Sequence, residues 1–370
     1  MNGSFEIEVA QLRGVLKDVV GVVEARNTIP VLSNVLLTVD HQSLTVTGTD
    51  LDLMVQRRVP LAQAEPFTTT VEALILDRIA SKLPADVDAK VKLADGKLTV
   101  SAGRSRFQLP TLAAEDFPVM QPVARDACAF AMQSIYLGAA IGLVSHAINT
   151  EETRYYLNGI FMHAPDGQDL RFATTDGHRL ARGVVTLPDG ADGVPDTIIP
   201  RKLTKLLSGL LDRHEGEVLI TVTDRLLQFE MGDTVVTGKV IDGQYPDYAR
   251  IIPVANPHRL DIERDALIAA IGRVVTVATD KTRVVKLSFS RDLLIITVTS
   301  PEKGEAREEL PCGWDGPPLE VGFNSKYLLD ALGQLTADAV EMLFADPAAP
   351  VVLRDRADAP ATFVIMPSRV

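Results

Sequence analysis

The stretch TDGHRLA, Thr175 to Ala181, lies near the middle of a 370-residue chain and decides how the rest is read. Apolar residues flank it, RFAT before and GVVTL after, so two short strands meet at a turn whose Asp176-Gly177 pair permits positive φ. His178 and Arg179 follow the turn, where side chains alternate between faces. One of the two is expected in solvent and the other toward the sheet.

The surroundings of this turn recur. RYYLNGIFMHA (Arg154 to Ala164) precedes it, and IIPRKLTKLLSGLL (Ile198 to Leu211), a strand leading into a helix after a proline, follows it. About one domain length earlier stand IPVLSNVLLTV (Ile29 to Val39), TGTDLDL (Thr47 to Leu53) and TTTVEALILDRIASKLP (Thr68 to Pro84). A similar step later stand KTRVVKLSF (Lys281 to Phe289), IITVTSPEKG (Ile295 to Gly304) and VGFNSKYLLDALGQL (Val321 to Leu335). The order is apolar strand, hairpin, strand into helix, three times, at a spacing of roughly 125 residues, a domain size rather than a solenoid period. Leu32, Leu157 and Val285 are read as equivalent, as are Asp50 and Asp176.

Each repeat opens with an amphipathic helix. In the first, Leu12, Val15, Leu16, Val19 and Val23 recur at helical spacing and predict a core face, with Arg13 and Lys17 four apart on another face. SIYLGAAIGLVSHAI (Ser134 to Ile148) and DALIAAIGRVVTVA (Asp265 to Ala278) are its counterparts. The second helices carry Arg78 and Lys82; Arg201, Lys202 and Lys205; and Lys326. A solvated face explains any one such set, and six helices with a similar bias suggest a shared purpose. Short alternating strands with turns at Asp95-Gly96, Asp166-Gly167 and Asp242-Gly243, and two helices per repeat, predict an α+β fold with helices on antiparallel sheet. DFPVMQPVARD (Asp116 to Asp126) and DYARIIPVANPHRL (Asp247 to Leu260) mark the joins, giving domains 1–122, 123–254 and 255–370.

Composition narrows the function classes. At 46% hydrophobic and 23% charged the chain reads as globular. Runs such as LLIITV (Leu293 to Val298) are too short for a membrane span. MNGSFEIEVA lacks the pattern of a signal peptide, so a cytoplasmic protein is expected. Cys128 and Cys312 lie in different repeats and suggest neither a disulfide framework nor a metal site. Net charge of −12 opposes nonspecific affinity for polyanions unless the cations are segregated. Asp176 and His178 could be drawn as a base and its orienter or as metal ligands. The chain, however, holds six His and no HExxH, GxSxG, P-loop lysine motif or Rossmann glycine run. No catalytic residue, metal or cofactor is therefore assigned.

TIPVLSN (Thr28 to Asn34), GTDLDL (Gly48 to Leu53), GRSRFQL (Gly103 to Leu109), DFP (Asp116 to Pro118), RYYLNG (Arg154 to Gly159), TDGHRLA, DGQYPDY (Asp242 to Tyr248) and VIMPSRV (Val364 to Val370) stand in the order found in the bacterial DNA polymerase III β subunits, the sliding clamps, which the chain resembles along its whole length. The resemblance implies three tandem copies of a DNA-clamp domain, helices lining a central hole with antiparallel sheets outside, and a ring closed by head-to-tail dimerisation. It implies a processivity factor that encircles double-stranded DNA without reading sequence. It also implies that the clamp tethers the polymerase III α subunit, the clamp loader and repair proteins through their clamp-binding peptides. Such a ring needs diffuse positive potential inside and tolerates an acidic exterior.

Carried over by position, the DNA-facing residues are Arg26, Tyr155, Tyr156, Arg201 and Lys202, to which the helix reading adds Arg78 and Lys82. Leu74 stands where the enterobacterial form has a DNA-facing Arg. The peptide cleft comprises Leu157, Thr175, Gly177, His178, Arg179, Leu180, Pro246, Arg250, Ile251, Val364, Ile365, Met366, Pro367, Ser368 and Arg369, with Arg179 and Arg250 expected to fix the register of an extended peptide. Ser368 replaces a Met and Pro350 a Ser of the enterobacterial cleft. For the closing interface, Arg104, Arg106, Phe107 and Leu109 of the first domain are set against Val277, Glu302, Glu305 and Glu308 of the third. A monomeric module that keeps the cleft without the ring is the alternative, and sedimentation separates the two.

Overall fold

A computed structural model describes residues 2–24, 27–121, 123, 127–279 and 283–369. Six helices are found among them: α1 (Val9–Val20), α2 (Ala73–Lys82), α3 (Ser134–Ser145), α4 (Arg201–Leu211), α5 (Arg264–Val274) and α6 (Ser325–Leu332). Each follows directly on a strand: Gly3–Glu8, Phe67–Glu72, Cys128–Gln133, Thr197–Pro200, His258–Glu263 and Leu319–Asn324. Where the last strand residue is Glu263 or Asn324, its side chain accepts the first free N–H groups of the helix, so strand end and N-cap are one residue.

Three further strands follow each helix, so every repeat is two β-α-β-β-β halves. After α1 come Asn34–Val39, Ser43–Thr49 and Leu53–Pro60; after α2, Asp88–Ala94, Lys97–Ala102 and Ser105–Leu112. The halves exchange their first strands. Gly3–Glu8 pairs with Asp88–Ala94 of the second half, and Phe67–Glu72 with Asn34–Val39 of the first. The same exchange joins Cys128–Gln133 to Glu217–Val222 and Thr197–Pro200 to Gly159–His163. It recurs between His258–Glu263 and Ala339–Phe344, and between Leu319–Asn324 and Val284–Ser290. All these pairings are antiparallel, and the chain is one α+β fold written three times. The division of each repeat into halves was missed in the sequence, where only two helices per repeat were legible.

Register fixes the equivalences. Asn34, Gly159 and Val284 each open a strand and each face the residue before a second helix, Glu72, Pro200 and Asn324. They stand 125 residues apart. Leu32 and Leu157 lie two positions ahead of their strands in 3-10 turns, whereas Val285 is the second residue of its own strand. Val285 therefore matches Val35 and Ile160, which corrects the alignment read from the sequence. All five side chains are buried apolar residues, and apolarity alone does not separate a turn position from a strand position.

The chain divides into two compact units. One comprises residues 1–137, 188–195 and 205–240, the other 138–187, 196–204 and 241–370. A 13-stranded sheet runs through the first; a nine-stranded and a four-stranded sheet belong to the second. Each unit contains a junction between repeats made by backbone pairing: Leu53–Pro60 with Thr234–Lys239 in one, and Arg179–Thr186 with Ala361–Ile365 in the other.

Helix α1 buries Val9, Leu12, Val15, Leu16 and Val19, and Val23 is buried just beyond it, as its spacing predicts. The shared cationic bias does not extend to all six helices. α3 carries no Lys or Arg and exposes Ile135 and Tyr136 instead. On α6, Lys326 is bonded to Asp330 at 2.6 Å, and on α5, Arg273 is bonded to Glu308 at 2.8 Å. Exposed cations stand on α1 at Lys17, on α2 at Arg78 and Lys82, and on α4 at Arg201, Lys202 and Lys205, so they gather mainly on the second helices of the first two repeats.

Arg13 is not a solvated cation either. Its guanidinium donates to the carbonyls of Ala80 (2.6 Å), Ser81 (3.2 Å) and Leu83 at the C-terminal end of α2, where backbone acceptors lack helical partners. Replacing it by Met keeps the aliphatic stem and leaves those carbonyls unmet. Arg13→Met is expected to cost about 2 kcal/mol, read as a lowered denaturation midpoint at unchanged slope.

Candidate functional site

The TDGHRLA turn is held by its own side chains. Asp176 Oδ1 accepts from the N–H groups of His178 (2.9 Å) and Arg179 (3.0 Å). Thr175 Oγ1 accepts from the Gly177 N–H at 3.1 Å and donates to the Arg179 carbonyl at 2.7 Å. Gly177 has φ +88°, and an added Cβ would lie 2.7 Å from Arg154 Nη1, which itself donates to the Asp176 carbonyl. Glycine meets this φ without strain and leaves room for the Arg154 guanidinium.

His178 is the exposed residue of the pair and Arg179 the inward one. Only 9% of the Arg179 side chain is exposed; Nε bonds Asp176 at 3.1 Å, Nη1 bonds Asp330 at 2.6 Å, and the guanidinium lies 4.3 Å from the centre of the Tyr327 ring. Arg179 joins the turn to α6. Burial alone would raise the Asp330 carboxyl, but hydrogen bonds from Lys326 and Arg179 outweigh it and hold that group below its ordinary value.

The C-terminal segment lies against this turn. Arg179 pairs with Ile365 and Leu180 with Val364. The His178 carbonyl then accepts the Met366 N–H at 2.9 Å, and Gly322 accepts the Ser368 N–H at 2.8 Å. Leu157, Leu180 and Val364 enter one apolar cluster with Ala173, Ile198, Tyr245, Tyr248 and Val352. Exposed Pro246, Ile251 and Met366 and half-buried Pro367 and Ser368 flank it in sequence. Ile365 is buried but alternates to the other face of the strand. Arg250 is exposed and paired with Asp247 at 2.8 Å, and Arg369 is exposed.

Aromatic residues of the cluster were missed in the sequence. Phe161 stacks on Tyr245 with centroids 4.7 Å apart, and His163 Nε2 meets the Tyr248 hydroxyl at 2.8 Å. Burial lowers the His163 pKa and raises those of both phenols. Tyr245 and Tyr248 stand in DGQYPDY, and their spacing beside Pro246 was the available signal.

Of the expected DNA-facing residues, Arg26 lies outside the described residues. Arg78 and Lys82 are exposed four positions apart on α2, and Arg201 and Lys202 are exposed at the start of α4. Tyr155 is exposed and meets Tyr156 edge-on at 5.8 Å, but Tyr156 also packs against the apolar cluster. For the expected interface, Arg104 and Arg106 are exposed, Phe107 is half-buried and Leu109 is buried, along or beside the strand Ser105–Leu112. Glu302 and Glu305 are exposed, Glu305 on the strand Gly304–Pro311, and Val277 is half-buried. Glu308 is already bonded to Arg273. Among the described residues no three of His, Cys, Asp and Glu are grouped as a metal site would require, and no helix is long and apolar enough to cross a membrane.

Models of the N-terminal, central and C-terminal domains of the DNA polymerase III beta subunit match residues 3–121, 131–247 and 249–369. The chain belongs to the DNA polymerase III beta subunit family, the sliding clamps. It is 41% identical to the beta sliding clamp of Caulobacter vibrioides, over 98% of this chain and 99% of that one, and 35% identical to that of Escherichia coli K12, over 99% and 100%. The crystal structure of a Bartonella birtlesii sliding clamp bound to griselimycin superposes with a TM-score of 0.97, at 37% identity and full coverage of both chains. The three repeats are clamp domains, and the chain is a DNA polymerase processivity factor without catalysis of its own.

One titrating group sits beneath the clamp's turn. His146, just past α3, packs its ring on Phe363 at 5.5 Å, and burial followed by the nearby Arg179 charge pushes its pKa down to about 4, against smaller opposing effects that include Asp330. An unfolded chain takes up this proton near pH 6.5 and the folded one only near 4, so stability falls as pH drops through that window. Denaturation between pH 7 and 4.5 is expected to show a loss on the order of 3 kcal/mol from this residue. His146→Leu should lack that share.

Proposed function

We propose that two copies of the chain close head to tail into a ring around duplex DNA. The observation that carries this is the edge pairing. At both internal junctions, the fourth strand of one repeat bonds to the last strand of a neighbouring half: Leu53–Pro60 to Thr234–Lys239, and Arg179–Thr186 to Ala361–Ile365. By that rule the unmatched strands are Gly304–Pro311, paired among the described residues only to Leu293–Ser300, and Ser105–Leu112, whose outer edge is paired only at Thr111 and Leu112, with Val71 and Thr70. Each offers what the other lacks, so a second copy turned end for end satisfies both pairs of edges. Arg104 and Arg106 would face Glu302 and Glu305, with Phe107 and Val277 between them. Residues 1–122, 123–254 and 255–370 form the three domains of each copy.

Helices line the hole in this arrangement, and Arg78, Lys82, Arg201 and Lys202, with Arg26, Tyr155 and Tyr156, meet the phosphates. Cations on helices interact with any sequence, which suits a ring that slides. The acidic remainder of the chain faces outward.

The cluster of Leu157, Leu180 and Val364, rimmed by His178, Pro246, Arg250, Ile251 and residues 366–369, takes an extended peptide of the polymerase α subunit, the clamp loader or a repair protein. An apolar cluster flanked by the exposed side chains of Pro246, Ile251 and Met366 supports this reading. The protein works in the cytoplasm.

The deciding experiment is topological. Loaded on circular duplex DNA, the protein should remain bound through gel filtration and leave when the circle is cut; equal loss from circle and linear DNA would end the ring reading. Phe107→Asp should convert the dimer to monomers by light scattering, because it puts an unpaired charge into an apolar contact. Deleting residues 366–370 should abolish peptide binding and leave the dimer intact.

A further inference from the structure

The turn that borders the peptide cleft occurs twice, and its second copy also borders a cavity. Thr49 Oγ1 accepts from the Leu51 N–H at 3.1 Å and donates to the Leu53 carbonyl at 2.8 Å, repeating Thr175 with Gly177 and Arg179. Asp50 Oδ1 accepts from the Asp52 N–H at 2.9 Å, as Asp176 does from His178. The Lys239 N–H donates to the Asp52 carbonyl at 2.9 Å, as Met366 does to His178. The Phe117-Pro118 pair stands in the first join where Tyr245-Pro246 stands in the second.

Beside this second turn is a cavity of about 260 Å³, lined by Thr49, Leu51, Pro118, Val119, Leu226 and Lys239 among others. Register and turn bonding make Thr49, Leu51 and Lys239 the counterparts of Thr175, Gly177 and Met366, and place in the sequence makes Pro118 that of Pro246. Every lining residue lies within one compact unit, and all the counterparts lie within the other.

We infer that this cavity is a second docking groove, for an extended, uncharged peptide segment that presents two apolar side chains two residues apart. Two observations select that occupant. Leu51 and Val119 hold apolar side chains 41% and 55% exposed at the groove, and Leu51 does so at φ +80°, a backbone conformation that the other turn assigns to glycine. Lys239 is the one charged residue of the lining, and its Nζ lies 2.9 Å from Asp52 Oδ1, so the lining offers no unpaired cation to an acidic partner. At this size the groove suits a pair of side chains rather than a drug-sized ligand, whose sites span roughly 300–1,000 Å³. Alternation along an extended peptide puts residues i and i+2 on one face, which sets the spacing. The assignment of peptide as occupant rests on the proposed role of the tail cleft.

The test uses the full-length protein with labelled Leu, Val and Ile methyl groups, titrated with acetyl-Ser-Leu-Ser-Leu-Ser-amide and followed by NMR. Movement of the Leu51, Val119 and Leu226 methyls, with a Kd that changes less than about twofold between 0.05 and 0.5 M salt, is the expected result. Leu51→Gly should weaken binding at this groove at least about tenfold while leaving the thermal midpoint unchanged or higher, since glycine relieves the backbone. A lower midpoint with unchanged binding would overturn the inference. So would methyl movement confined to Leu180, Val364 and Ile251, which leaves the tail cleft standing. Movement at neither set overturns both readings. Concentration-dependent movement of the Leu51 methyls without peptide would mean that a second copy fills the groove, and would also overturn the inference.

Discussion

An open strand edge is a row of backbone donors and acceptors that must be paired, wetted or covered, and this fold is organised by how its edges are disposed. Within a repeat, the two β-α-β-β-β halves exchange their first strands, so neither half completes a sheet without the other. Between repeats, the fourth strand of one bonds to the last strand of the next repeat, so sheets continue through both junctions. Ladder hydrogen bonds of this sort contribute modestly one by one, but leaving their groups buried and unmet costs more, and that asymmetry makes the pattern directional. An assembly of a second copy follows from the same accounting as the fold of the first.

The turn at Asp176 shows how little of a site is free to bind. Asp176, Thr175 and Arg154 are used on backbone groups, and Arg179 on two carboxylates and the Tyr327 ring. What stays exposed is His178, with the side chains of Pro246, Ile251 and Met366 around the apolar cluster. A rigid rim around an apolar floor orders in advance what a peptide would otherwise have to order on binding, which lowers the entropic cost of docking.

Much of this was legible because its causes are local. Positive φ at Gly177 follows from an Asp-Gly pair between two apolar runs, and the inward face of α1 follows from spacing alone. What escaped depends on distant neighbours. Arg13 and Lys326 look like solvated cations until the end of α2 and Asp330 are beside them. Val285 resembles Leu32 in everything but its place relative to the strand start, which only pairing reveals. Tyr245 and Tyr248 were visible as residues but not as floor, since their burial comes from strands about 80 positions earlier in the chain.

The uneven charge of the helices bears on how such a protein holds a polyanion without being held by it. α3 has no charged residue at all, and Arg273 on α5 and Lys326 on α6 are bonded to acids, while exposed cations gather on α2 and α4. Each phosphate that displaces a counterion adds to affinity, so six equally cationic helices per copy would bind tightly enough to slow sliding. Pairing a cation with a neighbouring acid removes it from that count without removing its aliphatic stem from the packing. Net acidity and affinity for a polyanion are then compatible, because affinity depends on where cations are gathered and solubility on the surface as a whole.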